Sequence, residues 1–347
     1  MKFNPITKYK LRITCLTYNH ATYIDETMDG FCMQNTNFPF VAIIIDDAST
    51  DGEQEVIRKY LEDHFNMANA LQDENDDGIR IAAIHKENPN CHFLVILLKY
   101  NFYSIKKTKS SLYRGWHENV PYIAMCEGDD YWTDPNKLQQ QVDFLDSHPE
   151  YSMCFHNVNI RAEKGRKWYD VFGELEDRDY TGFENLMKWS VPTCSIVFRS
   201  ELGSKKPKND KFRMGDNVLV LTCSKYGKIR CIPKKMGVYR LHPTSWIGGQ
   251  SDKVQRYKYI SHYIGLIEEF EECRDSRLYA ILENQYFQLL DILRREGDKE
   301  EFERVKQDYL SSPGEHCLHR YTLYHYKMEL RRFVKKIMSR IFFTNSI

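Results

Sequence analysis

The sequence lacks any run of apolar residues close to the roughly 20 needed to cross a bilayer, and it has no repeats or low-complexity segments. Residues 1–10 are polar and contain no apolar core of signal-peptide length, so we expect a cytoplasmic protein. Lysine plus arginine equals aspartate plus glutamate, at 49 each, so the formal net charge is zero. The chain as a whole is therefore not predicted to bind nucleic acid.

Cysteine patterns that would indicate a metal site or a disulfide framework are also missing. The ten cysteines include no Cys-x-x-Cys pair and no regular spacing. Four of them stand inside apolar, strand-like runs, namely Cys15, Cys126, Cys154 and Cys194. Such cysteines are typical of small buried residues in a reducing compartment. His316, Cys317 and His319 lie close together, but their spacing fits no standard zinc site.

Acidic residues do follow two apolar runs directly. The run Val41 to Ile45 leads into Asp46 to Gly52, and the run Tyr122 to Cys126 leads into Glu127-Gly128-Asp129-Asp130. Carboxylates this close repel one another, so a positive partner is expected. A hard divalent cation that bridges to phosphate is the usual one. Because open α/β sheets bind ligands at the carboxyl ends of their strands, the two acidic segments predict one shared crevice.

Strand and helix patterns alternate along the first part of the chain, which indicates a parallel sheet with covered faces. The predicted strands are 12–16, 41–45, 79–84, 93–98, 122–126, 151–160, 194–199 and 229–239. The acidic stretch Asp73 to Gly78 is expected to be a loop. Asp134 is expected to cap a helix with Pro135 at its first position. From about Ser251 the pattern changes to long helices.

Four motifs, in order, resemble those of inverting family-2 glycosyltransferases. They are Leu16 to His20 with Ile43 to Gly52, then Glu127 to Trp132, Met214 to Asp216, and Tyr239 to Ser245. The resemblance covers roughly residues 10–250. It implies an α/β GT-A fold, that is, a Rossmann-like mixed sheet of the nucleotide-diphospho-sugar transferases. The catalytic domain would be 1–250, followed by a helical C-terminal extension, 251–347, that ends in a basic amphipathic helix.

The chain departs from the family pattern in three places. The first acid of the Asp-x-Asp region is Glu127. A Lys-rich stretch, Asn101 to Trp116, replaces the segment that usually precedes that region. Residues beyond 250 match no common catalytic element. The second departure leaves the nucleotide-contacting cation unassigned among Lys106, Lys107, Lys109 and Arg114. The alternative is a solvated face, which is what a run of lysines most often forms.

The resemblance also implies roles for residues of the donor site. Asp47 would accept hydrogen bonds from the nucleobase, with Thr17 and Asn19 in the same pocket. Asp129 would hold Mg²⁺ or Mn²⁺ against the diphosphate, with Glu127 on the ribose or the metal. Asp130 would orient the site from behind. The competing interpretation is ordinary turn and helix-cap chemistry for these acids.

Roles for the acceptor side and the closing segment follow from the same resemblance. Asp216 would be the general base, although a plain helix N-cap is the alternative. His242 would be a metal ligand or a diphosphate contact, or else a loop histidine. Arg240 would be a further diphosphate partner.

The C-terminal tail carries an apolar stripe at helical spacing among basic residues. The stripe comprises Leu330, Phe333, Val334, Ile337, Met338, Ile341 and Phe342. From Arg320 to Arg340 there are seven lysines and arginines against one acid, Glu329. Residues 328–343 are typical of a helix that lies on an anionic membrane surface. The alternative is a terminal helix docked on the protein.

Together these features predict transfer of a sugar from a nucleotide-sugar donor, with UDP as the expected nucleotide. The acceptor would be a hydroxyl of a glycan or of a lipid-linked molecule, and the transfer would invert the configuration at the anomeric carbon. The resemblance implies a role in the synthesis of a surface polysaccharide, with the enzyme at the inner face of the membrane. One alternative is a non-catalytic module of the same fold that binds sugar nucleotides or glycans. Another is a nucleotidyltransferase, which is disfavoured because Thr17 to His20 forms no Gly-rich basic loop.

Overall fold

A computed structural model describes residues 8–116, 119–243 and 251–344, with side chains of the last helix as far as residue 335. The chain divides into two compact units. The first consists of residues 1–206 and 219–245, and the second of residues 207–218 and 246–347. The catalytic boundary near residue 250 stays a prediction.

The first unit is built on a mixed sheet of eleven strands among the residues described. The strands are β1 (Leu11–Thr17), β2 (Phe40–Asp46), β3 (Leu71–Asn75), β4 (Gly78–Ile84), β5 (Cys91–Leu98), β6 (Tyr122–Met125), β7 (Tyr131–Trp132), β8 (Tyr151–Ala162), β9 (Asp179–Tyr180), β10 (Val197–Arg199) and β11 (Lys228–Leu241). Their order is β3-β4-β5-β2-β1-β6-β10-β8-β11-β7, with β9 paired to β11. The predicted α/β fold with a mixed sheet is confirmed.

Four neighbouring strands in the middle of this sheet, β5, β2, β1 and β6, run parallel. β2 and β5 are buried along their whole length, as expected for apolar strands covered on both faces. The register places Thr17 opposite Asp46, and Thr14 opposite Met125. The carboxyl ends of these strands therefore lie along one edge.

Helices follow the strands through the chain. They are α1 (Ile24–Cys32), α2 (Glu53–His64), α3 (Lys137–Ser147), α4 (Gly182–Lys188), α5 (Leu202–Lys205), α6 (Gly215–Tyr226), α7 (Asp252–Glu269), α8 (Ser276–Glu296), α9 (Lys299–Ser311) and α10 (Leu318–Thr344). One face of the sheet packs against apolar residues of α1 and α2. The other face is covered by Phe102, Leu112 and Trp116, which belong to the Lys-rich stretch.

One predicted loop and one predicted strand have the wrong bounds. The acidic stretch Asp73 to Gly78 is not a loop, because it forms the turn and part of both strands of the hairpin β3–β4. β3 is an edge strand whose residues are all at least partly exposed, so it shows no apolar alternation. The strand expected at 194–199 starts only at Val197, because Thr193–Ser195 is a short 3₁₀ turn.

The predicted start of α3 is also wrong. The helix begins at Lys137 with Asn136 as its N-cap, rather than at Pro135. Asp134 instead organises the turn before the helix. Its Oδ1 accepts the N–H of Asn136 at 2.8 Å, and its carbonyl accepts the N–H of Lys137 at 3.2 Å.

In the second unit, α10 docks on α8 through one buried carboxylate. Asp291 of α8 is 3% exposed and contacts His325 Nδ1 at 3.1 Å and the guanidinium of Arg332, both on α10. Arg295 adds a third contact at 3.4 Å. The helix is therefore docked at least as far as residue 332. The stripe residues from Ile337 to Phe342 lie outside the described side chains.

Another face of α10 carries exposed apolar side chains. They are Leu323, Tyr326, Leu330, Phe333 and Val334, each at least half exposed. In the described part of the chain, no helix combines the length and the apolar character needed to span a bilayer.

Candidate active site

The candidate site lies at the edge of the sheet where β1, β2 and β6 end. Gly128 donates its N–H to the carbonyl of Leu16 at 3.1 Å, which keeps the chain after β6 beside β1. Asp47, directly after β2, donates its N–H to the carbonyl of Thr17 at 3.0 Å. The acidic segments after β2 and β6 therefore share the edge at which open α/β sheets bind ligands.

Glycine is required where the acidic turn crosses β1. A Cβ at Gly128 would lie 2.5 Å from Thr17 Cβ, closer still to its hydroxyl oxygen, and 3.2 Å from Ile24 Cδ1. The backbone approaches this closely only because no side chain intervenes. On either side of the crossing, Glu127 is exposed and Asp129 is half-buried.

Asp129 places its carboxylate between two histidines. Its Oδ2 lies 2.8 Å from Nε2 of His242, which follows β11, and 3.9 Å from Nε2 of His20, which follows β1. One ligand atom from each of the three residues lies within 4.8 Å of the others. Two imidazoles and one carboxylate within such reach form a donor set that fits a divalent cation.

The surroundings of Asp129 favour its ionised form. Burial alone would raise the pKa of Asp129, but the hydrogen bond with His242 and the charge of His20 outweigh burial and lower it. For His20, burial is the larger effect and lowers the pKa, against the opposing charge of Asp129. A carboxylate beside a neutral imidazole is the state in which both can ligate a metal.

Glu53, the first residue of α2, ties the loop after β1 to the site. Its Oε2 accepts hydrogen bonds from the N–H of His20 and the hydroxyl of Ser49, each at 2.8 Å, and its Oε1 accepts the hydroxyl of Thr17. The side chain is fully buried, and burial raises the pKa of Glu53 to about 6 in spite of these hydrogen bonds. The hydrogen bonds to the Glu53 carboxylate thus fix the position of the loop that carries His20.

Charged residues lie behind Asp129, and two of them, Arg240 and Asp130, are buried. Arg240 donates to the carbonyl of Asp129 at 2.6 Å through its guanidinium, which also contacts Glu26 and Glu163. The N–H of Arg240 donates to Oδ1 of Asp130 at 2.8 Å. Burial lowers the pKa of Arg240 to about 10, and burial, followed by the charge of Asp129, raises that of Asp130. These residues orient the Asp129 backbone, while a direct contact of Arg240 with diphosphate stays a prediction.

Residues 13–85, which contain β1, the His20 loop, β2 and Glu53, match the sequence model of Glycosyl transferase family 2. This match confirms the family-2 resemblance for this part of the chain. The motifs after β1 and β2 lie inside the matched residues.

Uncharacterized proteins of Mycobacterium tuberculosis and Mycobacterium bovis are each 32% identical to this chain over 248 residues. The alignment covers 70% of the chain but only 62% of each relative, so less than two thirds of their length is matched.

Two solved structures are also similar. The mannosyltransferase PcManGT from Pyrobaculum calidifontis in complex with GDP-Man and Mn²⁺ has a TM-score of 0.51 at 13% identity, covering 84% of this chain and 77% of that one. For S. aureus TarS 1–349 in complex with UDP-GlcNAc the TM-score is 0.49 at 14% identity, with 84% and 73% covered. The likeness to the mannosyltransferase supports the fold.

Asp47 anchors the segment that follows β5. Its Oδ1 accepts the N–H of Phe102 at 2.7 Å, and its Oδ2 accepts that of Tyr103 at 3.1 Å. Lys109, one of the cations singled out in the sequence, lies 3.0 Å from the same Oδ2. Arg114 is exposed. Nucleotide contacts by Asp47, Lys109 and Arg114 stay predictions.

Asn19 closes the same edge. Its backbone has a positive φ of 58°, its N–H donates to Ser49 Oγ at 2.9 Å, and its side-chain oxygen accepts the N–H of Thr50 at 2.8 Å. These bonds join the loop after β1 to the turn before α2. A contact between Asn19 and the donor stays a prediction.

The predicted base, Asp216, lies in the first turn of α6, within the part of that helix assigned to the second unit. Burial raises the pKa of Asp216, as suits a group that must accept a proton. Its role as base stays a prediction. Thr244 and Ser245 of the closing motif lie outside the described residues.

Sequence reasoning missed His20 and Glu53 as functional residues. His20 stands inside a motif that was recognised, but no spacing in the sequence connects it with Asp129 or His242. Glu53 looks like an ordinary first-turn acid of a helix. The available signal was indirect, since a loop that starts at the carboxyl end of a central strand faces the ligand edge.

Proposed function

We propose that this chain is a glycosyltransferase that moves one sugar from a nucleotide-diphosphate donor to a hydroxyl of a glycan or lipid-linked acceptor, with inversion. The observation that carries the proposal is the carboxylate of Asp129 between His20 and His242, at the edge where β1, β2 and β6 end. The family-2 match makes a nucleotide sugar the substrate to test first.

The donor would occupy the edge with its diphosphate towards Asp129 and its nucleoside towards Asp47, Thr17 and Asn19. A divalent ion, Mg²⁺ or Mn²⁺, held by Asp129 and His242 would supply positive charge that stabilises the departing nucleoside diphosphate. Glu127, exposed on the same turn, would contact the ribose or the metal.

The chain's own residues would then govern the displacement. Asp216 takes the proton from the acceptor hydroxyl as that oxygen bonds to the anomeric carbon. The bond from the anomeric carbon to the diphosphate oxygen breaks at the same time, so the configuration inverts. Arg240 and Asp130 hold the Asp129 backbone in place through the hydrogen bonds described above.

Donor binding is tested by thermal unfolding with UDP- and GDP-sugars, each with and without Mn²⁺. GDP-mannose is included because PcManGT was solved with it. A bound donor raises the unfolding midpoint by mass action, so at least one nucleotide sugar should stabilise the chain when metal is present. If no nucleoside diphosphate or nucleotide sugar does so, the proposed function is wrong.

Turnover is tested by hydrolysis of the stabilising donor and by transfer to acceptor sugars. Asp216→Asn should lose turnover by at least about 100-fold while keeping the donor-induced shift, because the base acts only in the chemical step. Asp210→Asn, an exposed acid of the same segment, is the matched control and should leave turnover unchanged. A wild type that binds the donor without turnover would instead be a non-catalytic binding module.

The acceptor side of the proposal rests on α10. Its exposed apolar side chains and the surrounding cations suit an anionic membrane surface, where a lipid-linked acceptor of surface-polysaccharide synthesis would lie. The enzyme would then act at the inner face of the membrane, held peripherally by residues 328–343.

A further inference from the structure

The hydrogen bonds of His20 indicate which ring nitrogen carries its proton. Thr17 Oγ1 contacts both Oε1 of Glu53 and Nδ1 of His20, the latter at 3.2 Å. Glu53 also accepts from the His20 N–H and from Ser49, so three donors converge on one carboxylate. Such a carboxylate is an acceptor only, and Thr17 must therefore give its single hydroxyl proton to Glu53.

Thr17 is then left with lone pairs for His20. The ring nitrogen Nδ1 must be the donor in the bond to Thr17, and Nε2 of the neutral ring carries a lone pair. That Nε2 faces Oδ2 of Asp129 across 3.9 Å, which is too long for a hydrogen bond. The lone pairs of His20 Nε2 and Asp129 Oδ2 thus face each other, and a cation between them would interact favourably with both.

The distance between His20 Nε2 and Asp129 Oδ2 is the distance expected between two ligand atoms of one metal ion. Two donor atoms that each lie about 2.1 Å from one ion are separated by roughly 3 to 4 Å, depending on the angle at the ion. The distance from Nε2 of His20 to Oδ2 of Asp129 is within this range. Nε2 of His242 lies 2.8 Å from the same Oδ2 as a hydrogen-bond donor, so it becomes a ligand when its proton moves to Nδ1. A hydroxyl and a carboxylate behind a ligating imidazole are the usual support for such a ring.

We propose that His20 is a metal ligand together with His242 and Asp129, so that the site prefers a transition ion such as Mn²⁺ over Mg²⁺. The preference follows because Mg²⁺ favours oxygen ligands, whereas imidazole nitrogen suits the later ions. Thr17 and Glu53 are positioning residues that present Nε2. The proposal deepens the proposed function, on which it rests for the existence of a metal at this edge.

The test counts the nitrogen ligands of bound Mn²⁺ in the full chain, without nucleotide, by pulsed electron paramagnetic resonance. The wild type should show two coupled ¹⁴N nuclei, and His20→Gln and His242→Gln should each show one. His148→Gln, which changes a histidine at the end of α3, is the matched control and should keep two. A one-nitrogen wild type, or a two-nitrogen signal in His20→Gln, would overturn the proposal.

Affinity gives a second readout from the same samples. His20→Gln should weaken Mn²⁺ binding at least about 10-fold and Mg²⁺ binding much less. The ratio of the affinities for Mn²⁺ and Mg²⁺ should therefore fall. Thr17→Val should keep both nitrogen couplings but bind Mn²⁺ more weakly, by about 3- to 10-fold, because the ring loses its orienting bond. Equal losses for Mn²⁺ and Mg²⁺ in His20→Gln would contradict a nitrogen ligand.

The result separates from that of the proposed function. Two nitrogen couplings without stabilisation by any nucleotide sugar would leave the metal site standing and the transferase proposal wrong. Stabilisation by a nucleotide sugar and turnover, with only one nitrogen coupling, would support the transferase proposal and contradict the proposal that His20 is a metal ligand. His20 would then be a structural neighbour of the site.

Discussion

Gly128 is the residue at which the site tolerates least change. A methyl group there would meet Thr17 on the adjacent strand β1, which is fixed on both sides by β2 and β6. We expect Gly128→Ala to lower the free energy of unfolding by about 2 kcal/mol or more, since overpacked sites commonly cost 1–3 kcal/mol and the strand cannot move away. Because Thr17 would be displaced, Mn²⁺ binding should weaken as well.

Urea unfolding and Mn²⁺ titration check this expectation. Gly203→Ala in α5 is the matched control, because a Cβ there would meet only Ile123 Cδ1 at an ordinary 3.9 Å. A Gly128→Ala protein as stable as the Gly203→Ala protein would show that the turn can shift, contrary to the tight crossing described.

Lys137 carries a buried amine, and burying it costs folding free energy. Its amine is fully buried 3.9 Å from the ring centroid of Trp132, and burial, opposed by nearby Cys126, Cys154 and Cys194, lowers the pKa of Lys137 to about 7. In the unfolded chain a lysine titrates near about 10.4. Between those values the unfolded chain binds a proton that the folded chain does not, so stability rises with pH across this window.

Lys137→Met should therefore raise the free energy of unfolding at pH 7 by roughly 1–4 kcal/mol, because the buried charge is removed at similar volume. The gain should shrink as pH rises towards about 10.4, because above that value the wild-type lysine is neutral in both states. Urea unfolding at pH 6, 8 and 9.5 measures the trend. Exposed Lys225→Met is the control, and a gain independent of pH would contradict the lowered pKa.

At the scale of elements, the chain's apolar runs predicted the central strands well. β2 and β6 are almost wholly buried, and β1 alternates buried residues with more exposed ones, so composition marks all three as strands. Acids mark the points at which β2 and β6 stop. β3 escaped prediction because an edge strand needs no apolar face. The start of α3 was predicted two residues too early, because Asp134 caps a turn whose sequence resembles the start of a helix.

The candidate site was predictable only in part, for a related reason. Asp129 and His242 were found because each belongs to a motif. The contact between His20 and Asp129, which are more than a hundred residues apart, depends on the pairing of β1 with β6, which no local pattern encodes. The role of Asp47 as anchor of Phe102 and Tyr103 likewise appears only once the segment after β5 is placed.

Docking of α10 on α8 gives a prediction at the scale of elements. Burial raises the pKa of Asp291, but the hydrogen bonds from Arg332 and His325 outweigh burial and lower it. The stabilisation by this carboxylate is therefore present above its ordinary unfolded value of about 3.9 and is lost as pH falls through the lower folded value. Protection of α10 should persist at pH 5 and fall below about pH 4.

Asp291→Asn should loosen α10 at neutral pH, at a cost of about 1–3 kcal/mol after allowing for the partial exposure of Arg332. Hydrogen exchange of residues 318–334 should then be about 5- to 100-fold faster, with β1 and β2 unaffected. Exposed Asp308→Asn on α9 serves as the control. Unchanged exchange in α10 would mean that other contacts dock this helix.

At the scale of the whole molecule, the neutral net charge conceals a basic C-terminal segment, so any attraction to an anionic surface must be local. The exposed side chains of Leu330 and Phe333 extend from α10 on a face that Asp291 does not engage. Cations near an anionic membrane contribute on the order of 1 kcal/mol each, and apolar side chains add to this when they enter the interface.

We therefore expect the wild type to co-sediment with vesicles that contain anionic phosphatidylserine but not with neutral vesicles, and to be released by high salt. The double substitution Leu330→Ser with Phe333→Ser should reduce co-sedimentation about 10-fold or more and leave the donor-induced thermal shift unchanged. Leu310→Ser, which removes an exposed leucine of α9, should have no effect on vesicle binding. Equal co-sedimentation of the double variant and the wild type would exclude this face of α10 as the membrane contact, and another surface of the chain would then have to bind the vesicles.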